Sequence, residues 1–265
     1  DGLLDTTYLT TSIPAPVNTA IYIEDLTGVN CSNCPKAADK IKEITAANPD
    51  HTIALGVYPW SLTGLTAPWP GFDTLNTNEA DDIFNNVYNS PSAIPCGGVN
   101  RKLFSGETIL SISYNKWAGY ADLIKVTECP VIITGTILKY DDVTRKARIR
   151  AKVVFPKSYT PSLNLSVFLI EDNILSKQHM PDGTKKDDYV HNHALRKAIT
   201  PFNGVTLKID AGTNGNYEAG RVFEKDFEVT LSSKWKDTEC GIIILANRYE
   251  AGNKEVVQAA HIELK

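Results

Sequence analysis

Cys31 and Cys34, with only Ser32 and Asn33 between them, stand where an apolar run ends and a helical pattern begins. The run AIYIEDLTG, from Ala20, reads as a buried strand whose period of two puts Ile21, Ile23 and Asp25 on one face. Beyond the cysteines, Ala37, Ala38, Ile41 and Ile44 or Thr45 recur at helical spacing with Lys and Glu opposite, and the helix stops near Asn48-Pro49. HTIALGVYP supplies a second buried strand. Strand, helix and strand in this order imply parallel pairing with a right-handed crossover, so the cysteines fall at the N-terminus of the crossover helix. Free backbone N–H groups and the positive end of the helix dipole stabilise a thiolate there. The first cysteine is expected to be exposed and nucleophilic. The second lies one turn in, close enough to resolve a mixed disulfide. The same pair is half of a zinc site, but that use needs two more ligands at close spacing, which Cys96 and Cys129 do not supply. The context favours thiol–disulfide chemistry, which requires no metal and no organic cofactor.

Two further residues fit this reading. Asp25 lies six positions before Cys31 on the inward face of the first strand, where thioredoxins place a buried carboxylate that takes a proton from the second cysteine. The alternative is an ordinary acid at a strand end, and a register shift of one would put Glu24 in its place. Ile94-Pro95 follows a short helix (NEADDIFNNVYN, with Asn78 as its expected N-cap) and precedes a strand, the position at which thioredoxins carry a cis-proline beside the cysteine pair. Its alternative is a plain trans turn proline. SISYNKWAGYADLIKV reads as a closing amphipathic helix. The Trp- and Pro-rich stretch 59–77 is a long loop whose Trp60, Trp69 and Phe72 either form a contact platform near the thiols or cover an element's end.

After Cys129-Pro130 the texture changes to seven strand-like runs: PVIITGTILKYD, ARIRAKVVFP, LNLSVFLIED, GVTLKID, GRVFEKDFEVTL, CGIIILANRYE and VVQAAHIEL. Short alternating runs without strong helices imply an antiparallel, immunoglobulin-like sandwich. One long interruption, residues 172–203, carries His191-Asn192-His193, either a metal pair without an evident third ligand or a polar motif that bonds a crossover onto the sandwich. The expected organisation is an extended tether (1–19), a thioredoxin-like α/β domain (20–129) and an all-β sandwich domain (130–265). The tether is Thr-, Ser- and Pro-rich, and residue 1 is Asp; a removed secretory signal or simple trimming accounts equally for that start.

The stretches IYIEDLTGVNCSNCPKAADKI, IPCGGVNR and YVHNHALRKAI resemble the Omp-twenty-eight-related outer-membrane lipoproteins of Bacteroidetes, over most of residues 20–265. The EDLTG-x-x-C-x-x-C-P block is the most specific part. The resemblance implies a lipoprotein signal, a tether, a thioredoxin-like domain and a β-rich C-terminal domain in the cell envelope, outer-membrane-anchored or periplasmic, and no particular activity. The lipid-bearing cysteine is not in this chain, so membrane attachment is expected only through an anchor it lacks. Exported protein or peptide thiols and disulfides are the expected partners; the alternative is a surface binding or adhesion protein in which Cys31–Cys34 is structural. Nucleic acid is not an expected partner, because a net charge of −4 without a basic run offers no phosphate-binding face. No stretch approaches the roughly 18 apolar residues of a spanning helix. Five cysteines exclude complete internal pairing. Cys129 and Cys240 are expected unpaired, and Cys96 is either a packing residue or a third redox partner. The oligomeric state is open.

Overall fold

The computed structural model describes residues 2–208 and 215–265. Strand β1 (Asp5–Leu9) is followed by β2 (Ile21–Leu26), helix α1 (Cys34–Ala47), β3 (Thr52–Val57), the short helices α2 (Thr63–Thr66) and α3 (Asn78–Asp82), β4 (Cys96–Val99) and α4 (Trp117–Ile124). The remainder is β: β5 (Ile132–Asp141), β6 (Lys146–Val154), β7 (Asn164–Glu171), β8 (Ile174–His179), β9 (Lys185–His191), β10 (Ala194–Ala198), β11 (Val205–Thr206), β12 (Arg221–Thr230), β13 (Cys240–Asn247) and β14 (Val256–Glu263). A π-helical turn, Ile83–Val87, continues α3. All seven strand-like runs after residue 130 contain strands. Of the run GVTLKID only Val205–Thr206 is strand, and residues 209 and 210 lie outside the described residues.

The largest sheet has eight strands in the order β14-β13-β7-β10-β3-β2-β4, with β11 added beside β7. It crosses position 130 without a break, because β10 pairs parallel to β3 through Ala194 and Gly56. Gly56 N donates to His193 O at 2.7 Å at the same junction. A second, antiparallel sheet, β1-β12-β6-β5, packs on the β14-β13-β7 half, and β8 and β9 form a separate hairpin.

Three cores explain the sequence texture. Ile242 and Ile244 of β13 face a sheet-on-sheet core with Ile149, Val153 and Val167. Ile243 and Leu245 face the opposite core with Tyr22, Leu55, Phe84 and Phe168. A strand covered on both faces has no polar side to show, hence the continuous CGIIILA run. Strand β6 alternates instead: Ala147, Ile149, Ala151 and Val153 are buried, and the basic residues between them face outward. The third core lies under α1 and α4, where Ile21 and Ile23 meet Ala37, Ile41, Ile44 and the fully buried Trp117.

Three expectations are corrected. Residues 5–9, read as tether, add an edge strand to β12; their side chains are mostly exposed, so no apolar alternation announces them. The interruption at 172–203 holds three strands, and β9 (KKDDYVH) hides from pattern reading because its two-stranded hairpin exposes most of it. The cap of α3 is Thr77, whose Oγ1 accepts from Ala80 N at 3.0 Å, one residue before Asn78.

Candidate functional site

Cys31 and Cys34 form a disulfide at the start of α1, with Cα atoms 5.4 Å apart. The turn is built by Cys31 N donating to Gly28 O (3.1 Å) and Cys34 N to Cys31 O (3.2 Å). Pro35 at the first turn gives up no helical bond, since the N–H it lacks has no partner there. Gly28 is required for close approach: a Cβ would sit 2.4 Å from Leu65 O of α2, packed beside it. The Ile94-Pro95 bond is cis, and Ile94 O lies 3.7 Å from Cys31 Sγ. Sequence order therefore placed Pro95 correctly beside the pair. Cys31 is only 3 % exposed and Cys34 2 %, against the expectation of an exposed first cysteine. The reason is a clasp from distant segments. Gln178 Nε2 donates to Cys31 O (2.9 Å) and Gly28 O (3.3 Å), His179 N donates to Val29 O (2.9 Å), and Trp69 Nε1 reaches Val29 O at 3.4 Å.

Strand β2 buries two adjacent carboxyls on opposite faces. Asp25 points to the side of Cys34, and both line one groove. Its Oδ1 has no hydrogen-bond partner, and burial pushes its pKa up to about 8, so it carries a proton at neutral pH. Glu24 faces the other core. Burial opposes its charge, but the Arg101 guanidinium and hydrogen bonds from Arg101, Tyr22 and Tyr88 outweigh that and hold it below the ordinary carboxylate range. The two acids are thus opposites: one ionised and satisfied, one neutral and unsatisfied.

The groove beside Cys34 lies between α1 and β9 and is closed by Tyr58, Gln178 and residues 191–193 at the end of β9 and the turn after it. Tyr58 OH and His191 Nδ1 meet at 3.1 Å, and burial pushes His191 down to about 4. The His-Asn-His motif works through hydrogen bonds: His193 N and Nδ1 both meet Asp172 Oδ1, Asn192 Oδ1 accepts from Asn173 N, and His193 O accepts from Gly56 N. These bonds tie the hairpin and β10 to β3. Among the described residues no group of three His, Cys, Asp or Glu side chains has a metal-binding arrangement. Trp69 packs with Val29, Tyr58 and Leu75 under the cations of Lys177 and Lys185, a cover for the cysteine turn. Trp60 stays exposed, and Phe72 lies under Lys177.

Cys96, Cys129 and Cys240 are unpaired. Cys96 donates to Ala93 O at 3.2 Å; burial first, and then the Asp25 carboxyl, push its thiol up to about 12. Cys129 is fixed between Val131 O and Gln258 Nε2. Burial likewise drives Cys240 up to about 12, which makes it a small core residue. Sequence reasoning missed Gln178 and Arg101, because neither lies near its partner in the chain.

Fold and site together define a β-rich protein with a disulfide at a strand-to-helix turn, clasped by a hairpin from a later part of the chain. The family model for "Outer membrane protein Omp28" matches residues 81–265, and the chain belongs to that family; it is a cell-envelope protein. No curated protein matches it. Among solved structures it is similar to HBP35 of Porphyromonas gingivalis, with a TM-score of 0.69 at 15 % identity over 94 % of this chain and 76 % of that one. It is also similar to a structural-genomics protein from Agrobacterium tumefaciens, with a TM-score of 0.53 at 14 % identity over 95 % and 97 %. At these identities the likeness concerns the fold. No helix among the described residues is long and apolar enough to cross a membrane.

Proposed function

We propose that this chain is an outer-membrane lipoprotein whose thioredoxin-like part (20–129) exchanges thiols and disulfides with exported proteins, and whose immunoglobulin-like sandwich (130–265) presents it. The observation that carries the proposal is Asp25. A structural disulfide has no use for a buried, protonated carboxyl whose Oδ1 is unpaired, and this one shares a groove with Cys34. A substrate thiolate attacks Cys31 Sγ, the Cys31–Cys34 bond breaks, and Cys34 leaves with the electron pair and takes the proton of Asp25. A second substrate thiolate then attacks its own sulfur in the mixed disulfide and releases Cys31 as a thiolate. The substrate dithiol is oxidised and the protein disulfide reduced; the reverse sequence reduces a substrate. Pro95 shapes the approach to Cys31.

The burial of both sulfurs favours a second reading, a binding or adhesion module with a structural disulfide. Equilibration of the folded protein with glutathione separates the two. An active pair exchanges within the range of known oxidoreductases, about −120 to −270 mV, Cys34→Ala traps a mixed disulfide on Cys31, and Cys31→Ser traps none. A pair that stays oxidised in excess reduced glutathione while the fold persists supports the binding module.

A further inference from the structure

The groove between α1 and β9 has a volume of about 320 Å³. Ala38 and Ile41 of α1, with Ala54 and Val190, give it apolar walls, and its buried polar groups include Asp25, Tyr58 and His191. Tyr58 OH and His191 Nδ1 satisfy each other. Two atoms are left over: His191 Nε2 and Asp25 Oδ1 have no partner, and Asp25 is 4 % exposed. Buried polar groups in folded proteins are nearly always paired, so an orphan lining a cavity marks where a ligand atom belongs.

The chemistry of that ligand follows from the state of the carboxyl. No ion pair reaches Asp25 among the described residues, and a carboxylate in so dry a place without a cation takes up a proton instead. A neutral carboxyl shows an O–H donor and a carbonyl acceptor side by side. A carboxamide is its complement, its C=O accepting from one oxygen while its N–H donates to the other. A carboxylate ligand would bring uncompensated charge into the groove, and a cation would require Asp25 to ionise first. We infer that the groove is a binding site for an uncharged molecule that joins a carboxamide to an apolar body, with the amide on Asp25 and the body against Ala38 and Ile41. The inference is independent of thiol chemistry, since groove and carboxyl are both present in the disulfide form.

The experiment titrates the full, oxidised chain with benzamide, benzoate and benzamidinium, three ligands of one shape and different charge, followed by NMR shifts. Benzamide is expected to bind saturably and on the order of tenfold more tightly than either ion. Asp25→Leu removes the hydrogen-bonding pair and is expected to abolish binding. Ala38→Phe, at a half-buried helix position, fills the groove and is expected to do the same. Melting temperature and an intact disulfide report whether each variant folds, and Ala38→Phe alone suffices if Asp25→Leu does not. Absence of saturable benzamide binding, equal affinity in the folded variants, or tightest binding of benzamidinium overturns the inference.

Discussion

Arg101 grips Glu24 with two hydrogen bonds, Nε to Oε2 at 2.9 Å and Nη2 to Oε1 at 2.6 Å, in a place where neither side chain is exposed at all. Tyr22 and Tyr88 hydroxyls, each at 2.7 Å, complete the carboxylate. The pair welds β2 to the turn after β4, and the neighbouring Asn100 bonds both Ala20 O and Val256 O, which brings in β14. Removal of one partner leaves a buried charge uncompensated. Glu24→Gln or Arg101→Met is therefore expected to cost about 3–5 kcal/mol. The double variant Glu24→Gln/Arg101→Met should recover part of that loss. Urea denaturation of the four proteins measures the cycle, and additive losses would refute the coupling.

Asp226 sits between Arg148 and Arg150 on the outer face of the β12–β6 pair, accepting from both at 2.7 Å. The Arg150 hydrogen bond, foremost, holds its pKa down at about 2, against about 4 in an unfolded chain. A depressed carboxylate stabilises the fold above the unfolded value and loses that contribution as pH falls through the folded one. The wild type should exceed Asp226→Asn by about 2 kcal/mol at pH 6. The gap should close progressively from about pH 5 toward pH 2. Chemical denaturation across that range checks it; a gap that persists at pH 2 would point to packing instead.

The parts of this molecule legible in the sequence are those with local causes. Strand, Cys-x-x-Cys and helix are contiguous, so the cysteine pair, the helix start and the side taken by Asp25 could be read from spacing and periodicity. The order of elements placed Pro95. What escaped depends on distant partners. Nothing in DTTYL announces β1, because an exposed edge strand needs only backbone pairing. Nothing in ALRKA says that β10 lies beside β3, or that one sheet spans both halves. Glu24 and Asp25 are neighbours in one strand, and only the arrival of Arg101, 77 positions away, separates the ionised acid from the neutral one.

Asp25 makes a prediction with the opposite sign. Its pKa is about 8 in the fold and about 4 when unfolded. Between those values the native state keeps a proton that the unfolded chain has released, so stability falls as pH rises from about 4 to about 8 and then levels off. Asp25→Asn stays neutral throughout. Relative to the wild type it should gain stability steadily across this window, by several kcal/mol at pH 9. Denaturation of the oxidised proteins at pH 5, 7 and 9 measures the difference. A constant offset would mean that Asp25 does not titrate in this range.

Gln178 gives the last prediction. Its amide holds Cys31 O and Gly28 O, and His179 beside it holds Val29 O, so the β8–β9 hairpin grips the backbone of the cysteine turn at three carbonyls. Reduction of the disulfide must disturb this turn, and the grip resists it. Gln178→Ala removes two of the contacts at a net cost of about 0.5–1.5 kcal/mol each. The Cys31–Cys34 bond of the variant should then react with dithiothreitol on the order of tenfold faster. Coupling is reciprocal, so reduction of the wild type should in turn loosen the hairpin and speed tryptic cleavage at Lys177, Lys185 and Lys186. Thiol release and limited proteolysis measure the two halves. Faster reduction without faster cleavage would mean that Gln178 shields the sulfurs without coupling them to the hairpin, and unchanged rates in both would remove the clasp altogether.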